Sequence, residues 1–376
     1  MTTVDAAVLL ESGAERPYSK SHPIEIRQMQ LDPPGPGELA VRIKAAGLCH
    51  SDLSVIDGSR PRPLPMVLGH EAAGEITGVG PETEGFTVGD RVVLAFVPSC
   101  GKCGPCLEGR AALCEPCAAA NAAGTLLCGE RRWHHSSGET HQHHLGVSAF
   151  AQETVVSAKS AVKIPDEVDF ATAAVFGCAA LTGVGAALNA AQIKAGESVA
   201  VFGLGGVGLS ALLGAKLAGC SDLVAIDPVA AKRDLALELG ATAVLDGGPD
   251  TVTQLKELVP GGVAKAIETA GNANVLRTAY DSTRRGGTTV TVGLPAPSQM
   301  LEIPAVSLTA EERTLRGSYL GSSSPAEMLP KLFEFWQEGR LPLEKLISHR
   351  LRLNKINEGF DRLHDGSAVR QIIEFD

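Results

Sequence analysis

Four cysteines crowd one short stretch, Cys100-Gly-Lys-Cys103-Gly-Pro-Cys106, followed by Cys114. Spaced C-x2-C-x2-C-x7-C, their thiolates can close a tetrahedron around one zinc with no position left for substrate. Such a site pins a lobe, at about residues 98–117, and does no chemistry. Cys117 competes as the fourth ligand, with Cys114 preferred; free loop thiols are the bland alternative, against which the regular spacing argues. A second set is scattered: Cys49 in GLCHSD, His70 and Glu71 in GHE, and Cys178 in FGC. Singly, each is ambiguous. A lone Cys178 on an apolar segment reads as a small buried hydrophobe, a lone His70 as a turn residue, and sequence distance alone does not join them.

Glycine supplies the third feature. The run Val199-Ala-Val-Phe202 leads into Gly203-Leu-Gly205-Gly206-Val207-Gly208 and then LSALLGAKLAG. Gly203, Gly205 and Gly208 suit a tight turn, bare backbone against a pyrophosphate, and close packing of helix on strand. The helix N-terminus adds amide donors and a positive dipole for the phosphates. Asp227 closes the next apolar run, DLVAID. A carboxylate there can accept from both ribose hydroxyls and would repel a 2′-phosphate, which points to NAD rather than NADP. A plain strand-end turn is the alternative reading of Asp227.

These residues need elements to hold them. From about residue 4 to 160 the apolar segments are short and broken by Pro and Gly clusters such as DPPGPGE, the texture of antiparallel β structure. From about 180 to 320, strand-like runs alternate with Ala/Leu-rich helical ones, which implies a doubly wound parallel sheet. The tail reads as two helices and a last strand, VRQIIEFD.

Composition agrees with a two-domain enzyme. The chain has 376 residues, room for two cores. Its net charge of −10 argues against nucleic acid as the main ligand. Glycine is abundant, 42 residues, while aromatics make up only 4%. No uninterrupted apolar run approaches the ~18 residues that a membrane span needs, and MTTVDAAVLLESG shows no basic leader pattern. The expectation is a cytoplasmic protein whose nine cysteines bind metal rather than form a disulfide framework.

With GLCHSD, GHEAAGEI, the four-Cys lobe and GLGGVG in order along one chain, the sequence resembles the zinc-dependent medium-chain alcohol dehydrogenase family over essentially its whole length. Length and the long segment after Cys114 resemble the liver and glutathione-dependent formaldehyde dehydrogenase branch, which implies a homodimer. The resemblance implies a GroES-like, mainly antiparallel β catalytic domain at 1–179 plus 323–376, with an NAD-binding Rossmann domain, 180–322, inserted into it. It also implies two zinc ions per chain. Cys49, His70 and Cys178 would hold the catalytic one, two thiolates and an imidazole with a vacant position being the established set for alcohol dehydrogenase, and Glu71 would be an alternative ligand. Asp52 would orient His70, and Ser51 would bond the substrate oxygen. His50 and Arg370 would lie near the pyrophosphate, Thr182 and Val292 near the nicotinamide, and Lys232 near the adenosine ribose. Phe96 and Phe150 would line the substrate pocket. The activity implied is reversible hydride transfer between a primary or secondary alcohol, aromatic ones included, and NAD.

One position departs from the family. Liver enzymes end their proton relay in a histidine three residues after the serine, where this chain has Ser54. The proton must leave otherwise, through Ser51, a ribose hydroxyl and water, or by way of Asp57 or His50. The segment Leu127–Leu145 carries five of the ten histidines and reads as a solvated lid in preference to an additional metal or anion site, with Arg131 and Arg132 available to an acidic substrate and Trp133 to an aromatic one. Two other readings compete: a glutathione-dependent formaldehyde dehydrogenase, and a non-catalytic zinc- and nucleotide-binding protein.

Overall fold

The computed structural model describes residues 1–376 and divides into two compact units. The first comprises Met1–Cys178, Ser324–Gln337 and Pro342–Asp376; the second comprises Ala179–Ser323 with Glu338–Leu341.

In the first unit, strands Thr2–Leu9, Ile24–Leu31, Trp133–His134, Thr140–His143 and Met66–Val67 close a small barrel. Its interior is filled by Val4, Val8, Met29, Leu31, Val67 and Trp133. Beside it in sequence runs a seven-stranded sheet built around the long strand Glu38–Leu48, which pairs antiparallel with Ala72–Val79, Glu153–Ser157 and Arg370–Glu374. Gly74 shows why that pairing needs glycine: a Cβ there would run into the Arg42 carbonyl of the neighbouring strand.

In the second unit, six parallel strands form one sheet. Val199–Phe202 and Val263–Glu268 lie at its centre, Leu223–Ile226 and Ala243–Leu245 on one side, Thr283–Thr291 and Thr314–Gly317 on the other. Numbered along the chain, that order is 3-2-1-4-5-6, the doubly wound Rossmann arrangement expected from the strand and helix alternation. The central strand Val199–Phe202 is buried throughout, as a strand covered on both faces must be.

Two expectations change. Leu127–Leu145 is not a solvated lid. Its centre is a hairpin, Trp133–His134 with Thr140–His143, turned through Gly138 at φ +89°. Trp133, His141 and His143 have no exposed surface. Burial holds the His143 imidazole down at about 3 and lowers that of His141 as well, so both are neutral core residues. Arg132 grips buried Glu38 through Nε and Nη2, at 2.9 and 3.2 Å, and Arg131 donates to Gln142 and the Ala123 carbonyl. Neither arginine is held out for an acidic substrate, and Trp133 caps none. The second change is the helix Phe170–Ala190, whose 21 residues are long and apolar enough to cross a membrane by length and composition. Its most apolar window is 94% buried, which marks a core helix; Thr172, Gly177, Thr182 and Gly183 interrupt the apolar run that the sequence reading looked for.

Because Trp133 plugs the barrel, Trp133→Ala should cost about 3–5 kcal/mol, as large-to-small core changes do. Denaturant unfolding measures this, and a loss below about 0.5 kcal/mol, the range of surface substitutions, would return the segment to the surface.

Candidate functional site

Cys49 stands in extended backbone at the head of the short helix His50–Ile56. Three residues on, Asp52 turns its carboxylate back, and Oδ2 accepts the Cys49 amide at 3.2 Å. This reciprocal cap is what the spacing C-x-x-D does at a helix start. The other oxygen, Oδ1, accepts the Gly69 amide at 3.2 Å and faces His70 Nδ1 at 3.1 Å. Gly69 is held at φ +104°, where a Cβ would strike the backbone of Ala149 and Phe150. Only glycine fits, and the turn aims His70 inward.

Cys178 arrives from another direction. It sits in Phe176–Ala180, a wide π-helical turn, a distortion that recurs at functional sites. Gly177 beside it lies so close to the Leu94 carbonyl that a side chain would not fit. Brought together in this way, the ligand atoms of Cys49, His70 and Cys178 all lie within 4.8 Å of one another.

The chemistry of this group suits a zinc ion. His70 Nε2 is buried with no hydrogen-bond partner, although its other nitrogen is fixed by Asp52. A buried imidazole nitrogen left unpaired is costly unless a cation takes its lone pair. The hydrogen bond from Cys178 holds the Cys49 thiol well below the usual range, and the same bond, with burial, pushes Cys178 well above it. Burial by itself would raise the Asp52 carboxyl, but the His70 charge and the contacts of His144 and His70 outweigh it and hold the group low.

Glu71 lies behind this group. It has no exposed surface, burial pushes its carboxyl up to about 7 against the opposing pull of Arg370, and Oε2 is 3.3 Å from Arg370 Nη1. Arg370 also donates to the Leu48 carbonyl at 3.0 Å and is itself buried. Phe96 packs edge-on against His70, centroids 5.4 Å apart. Phe150, expected in the pocket, has no exposed surface and packs edge-on against Phe360 instead, while its amide bonds the Leu68 carbonyl and braces the Gly69 turn. Ser51 is half-buried and His50 exposed at the start of their helix. Ser54 Oγ donates to the Ser51 carbonyl at 2.9 Å.

In the lobe, Cys100, Cys103, Cys106 and Cys114 form a second cluster of ligand atoms within 4.8 Å. Cys117 points elsewhere, its sulfur 3.9 Å from the Phe96 carbonyl. Amides of Lys102 and Cys103 donate to Cys100 Sγ, both at 3.3 Å, and bring its thiol down to about 6. The Cys100 amide donates to Cys114 Sγ at 3.2 Å. Backbone N–H groups aimed at sulfur are how a loop stabilises thiolates around a metal.

The glycine-rich turn in the second unit is built as its spacing implies. Gly203 has φ +89°, and its carbonyl lies where a side chain on Gly208 would be, so the helix starting at Gly206 can press against the strand. A Cβ on Gly205 would meet nothing, leaving open backbone at the helix N-terminus for a phosphate group. Asp227 accepts the Leu204 amide at 2.7 Å and the Val229 amide at 2.9 Å, tying the turn to the end of the second strand. Lys232 lies on the following helix, half-buried. Thr182 is buried, and the Val292 amide bonds the Glu268 carbonyl at 2.8 Å. Sequence reading missed His144, whose Nδ1 is 3.0 Å from Asp52 Oδ1. It also missed Thr269, whose hydroxyl holds the Gly203 carbonyl at 2.8 Å. A polar residue directly after a strand is the only signal either gives.

Comparison with known proteins adds an independent line. Residues 35–166 match the family described as alcohol dehydrogenase GroES-like domain, and residues 206–338 match that described as zinc-binding dehydrogenase. An NDMA-dependent alcohol dehydrogenase of Amycolatopsis methanolica is 36% identical over 95% of this chain and 96% of its own. Geraniol dehydrogenase of Castellaniella defragrans is 36% identical over 99% and 98%. Among solved structures, benzyl alcohol dehydrogenase of Acinetobacter calcoaceticus superposes with a TM-score of 0.90 at 31% identity, covering 100% of both chains.

Native mass spectrometry of the zinc-loaded chain should find two ions. Cys49→Ala and Cys103→Ala should each leave one, and a wild-type chain carrying a single ion would contradict the two-cluster geometry.

Proposed function

The chain belongs to the zinc-dependent medium-chain alcohol dehydrogenase family and is an oxidoreductase of that type; we propose that it oxidises primary or secondary alcohols of apolar or aromatic character with NAD, reversibly. The observation that carries this reading is the convergence of Cys49, His70 and Cys178 on one point, with His70 Nε2 left without a protein partner. We assign the catalytic zinc to these three and a structural zinc to Cys100, Cys103, Cys106 and Cys114, with Glu71 in reserve behind the first. NAD is assigned to the turn Gly203–Gly208 and to Asp227, supported by the room over Gly205 and the carboxylate at the strand end. His50, Thr182, Lys232, Val292 and Arg370 complete the cofactor contacts. Residues 1–179 with 323–376 are taken as the catalytic domain and 180–322 as the Rossmann domain.

When bound, zinc supplies Lewis-acid stabilisation of charge on the substrate oxygen, and nicotinamide supplies the hydride acceptor or donor. The protein's own part is orientation and proton handling. Asp52 holds His70 by Nδ1, so the imidazole offers Nε2. Ser51, at the start of the same helix, takes up the alcohol proton and passes it to solvent. Ser54 does not continue that path, because its single hydroxyl proton is committed to the Ser51 carbonyl. Phe96, packed edge-on against His70, places an apolar ring beside the proposed zinc ligands, which suits an apolar alcohol. The names of the geraniol and benzyl alcohol relatives support the same substrate character. A glutathione adduct has less support, since Arg131 and Arg132 are spent on partners inside the fold.

We place the enzyme in the reducing cytoplasm, on its nine free thiols, most of them in the two metal clusters. A homodimer is the proposed assembly. The strand Thr314–Gly317 ends the parallel sheet with an exposed edge, and Met300, Val306 and Leu308 nearby in sequence are exposed apolar residues.

A steady-state screen of straight-chain, branched and aromatic alcohols tests the reading. Turnover with NAD should exceed that with NADP, and Ser51→Ala should lower kcat by about 10²–10⁴, the usual weight of positioned acid–base help. Activity confined to NADP, or an unchanged Ser51→Ala enzyme, would overturn the corresponding part. Sedimentation should give twice the chain mass, and a species of 39.0 kDa would rule the dimer out.

A further inference from the structure

The carboxylate of Asp52 is surrounded by more donors than orienting one histidine requires. Besides the amides of Cys49 and Gly69 and the imidazole of His70, a second imidazole reaches it, with His144 Nδ1 3.0 Å from Oδ1 and off the line of an ideal hydrogen bond. His144 is 1% exposed, and its ring stands at 85° to that of His70 with centroids 5.4 Å apart. Its backbone is clamped as well: the amide bonds Ser148 Oγ at 2.8 Å, and that hydroxyl donates to the Val67 carbonyl at 2.7 Å.

A bare Nδ1 would set its lone pair against the lone pairs of a carboxylate oxygen at 3.0 Å, a repulsive contact between two groups that are both buried. The proton must therefore sit on Nδ1. A metal ion bridging Asp52, His70 and His144, whose ligand atoms also lie within 4.8 Å, fits less well. It would have to take the place of the His70 Nδ1 proton, on an oxygen that already accepts an amide.

We propose that His144 is a positioning residue for the catalytic metal site: through Nδ1–H it fixes Oδ1 of Asp52, the oxygen that does not cap the helix start, and Asp52 in turn fixes His70. The proposal rests on the assignment of His70 as a zinc ligand. It makes the barrel hairpin, which ends one residue before His144, a support of the metal site rather than a lid.

The test removes the donor and keeps the shape. His144→Phe in the zinc-loaded enzyme should release one zinc to a chelator about 10–100-fold faster, the usual cost of losing a partner behind a metal ligand. The four-Cys zinc should leave at the wild-type rate and so report an intact fold. His144→Asn, which returns an N–H near the Nδ1 position, should restore retention. Unchanged release from His144→Phe overturns the proposal, as does equal loss from both variants, which would mean packing alone. A third metal ion in the wild type that His144→Phe removes would make His144 a ligand and also overturn it. Should neither variant fold, nitrogen-15 NMR of wild-type histidines decides: a proton on His144 Nδ1 sustains the proposal, and one on Nε2 alone refutes it. A wild-type chain with no zinc at Cys49 would instead sink the underlying assignment.

Discussion

The structure of the metal site depends on one buried negative charge. Asp52 has no exposed surface, and a carboxylate taken out of water costs several kcal/mol unless donors replace its hydration. Here the replacements come from separate parts of the chain: Cys49 at the helix start, the Gly69 turn with His70, and His144 after the hairpin. Satisfying that charge therefore ties the helix start at Cys49 to two segments that the pairing of Met66–Val67 with Thr140–His143 already holds side by side. The arrangement is also directional. A carboxylate that fixes His70 by Nδ1 leaves only Nε2 for a cation, so the need to neutralise a buried acid and the need to present a bare nitrogen are met by the same contact.

What could be read from sequence divides along a physical line. The four-Cys lobe and the glycine-rich turn are local: ligand and partner lie within a few residues, so spacing alone specifies geometry. Likewise, the alternation of strand and helix from about 180 to 320 specifies a parallel sheet, because a strand buried on both faces must be apolar throughout. The scattered ligands are different. Cys49, His70 and Cys178 come together only in three dimensions, and nothing in the residues between them encodes the approach. Their joint reading came from resemblance to a family.

The histidine-rich segment failed for a related reason. In Thr140–His143, exposed and buried residues alternate in the period of a strand, but the buried ones are His141 and His143 rather than Val or Ile. A polarity scale therefore sees a loop where the backbone sees a hairpin. Imidazole is tolerated inside because burial lowers its affinity for a proton, leaving a neutral ring that stacks and tilts like any aromatic: His143 lies against Trp133, and His141 against His135. Of the adjoining arginines, Arg132 is neutralised by Glu38 and Arg131 is tied to Gln142 and the Ala123 carbonyl, which a charge count along the chain cannot reveal. Phe150 was misplaced for the opposite reason, since a large aromatic near a site suits core and pocket equally, and its packing on Phe360 decides for core.

Glycine does the remaining work of convergence, by absence of a side chain more than by flexibility. Gly69 at φ +104° passes against the backbone of Ala149 and Phe150, Gly177 against the Leu94 carbonyl, and Gly208 against the Gly203 carbonyl. In each case the residue beside the close approach carries the chemistry: His70 next to Gly69, Cys178 next to Gly177, and the open backbone of Gly205 between Gly203 and Gly208. A Cβ at any of the three would push backbone apart, and because these contacts involve main-chain atoms rather than movable side-chain ends, the displacement would pass directly to the functional atom. At these positions glycine is tied to where the functional groups must stand. Asp52 ties His70 to the helix start at Cys49, and the glycines clear the space in which that contact can form.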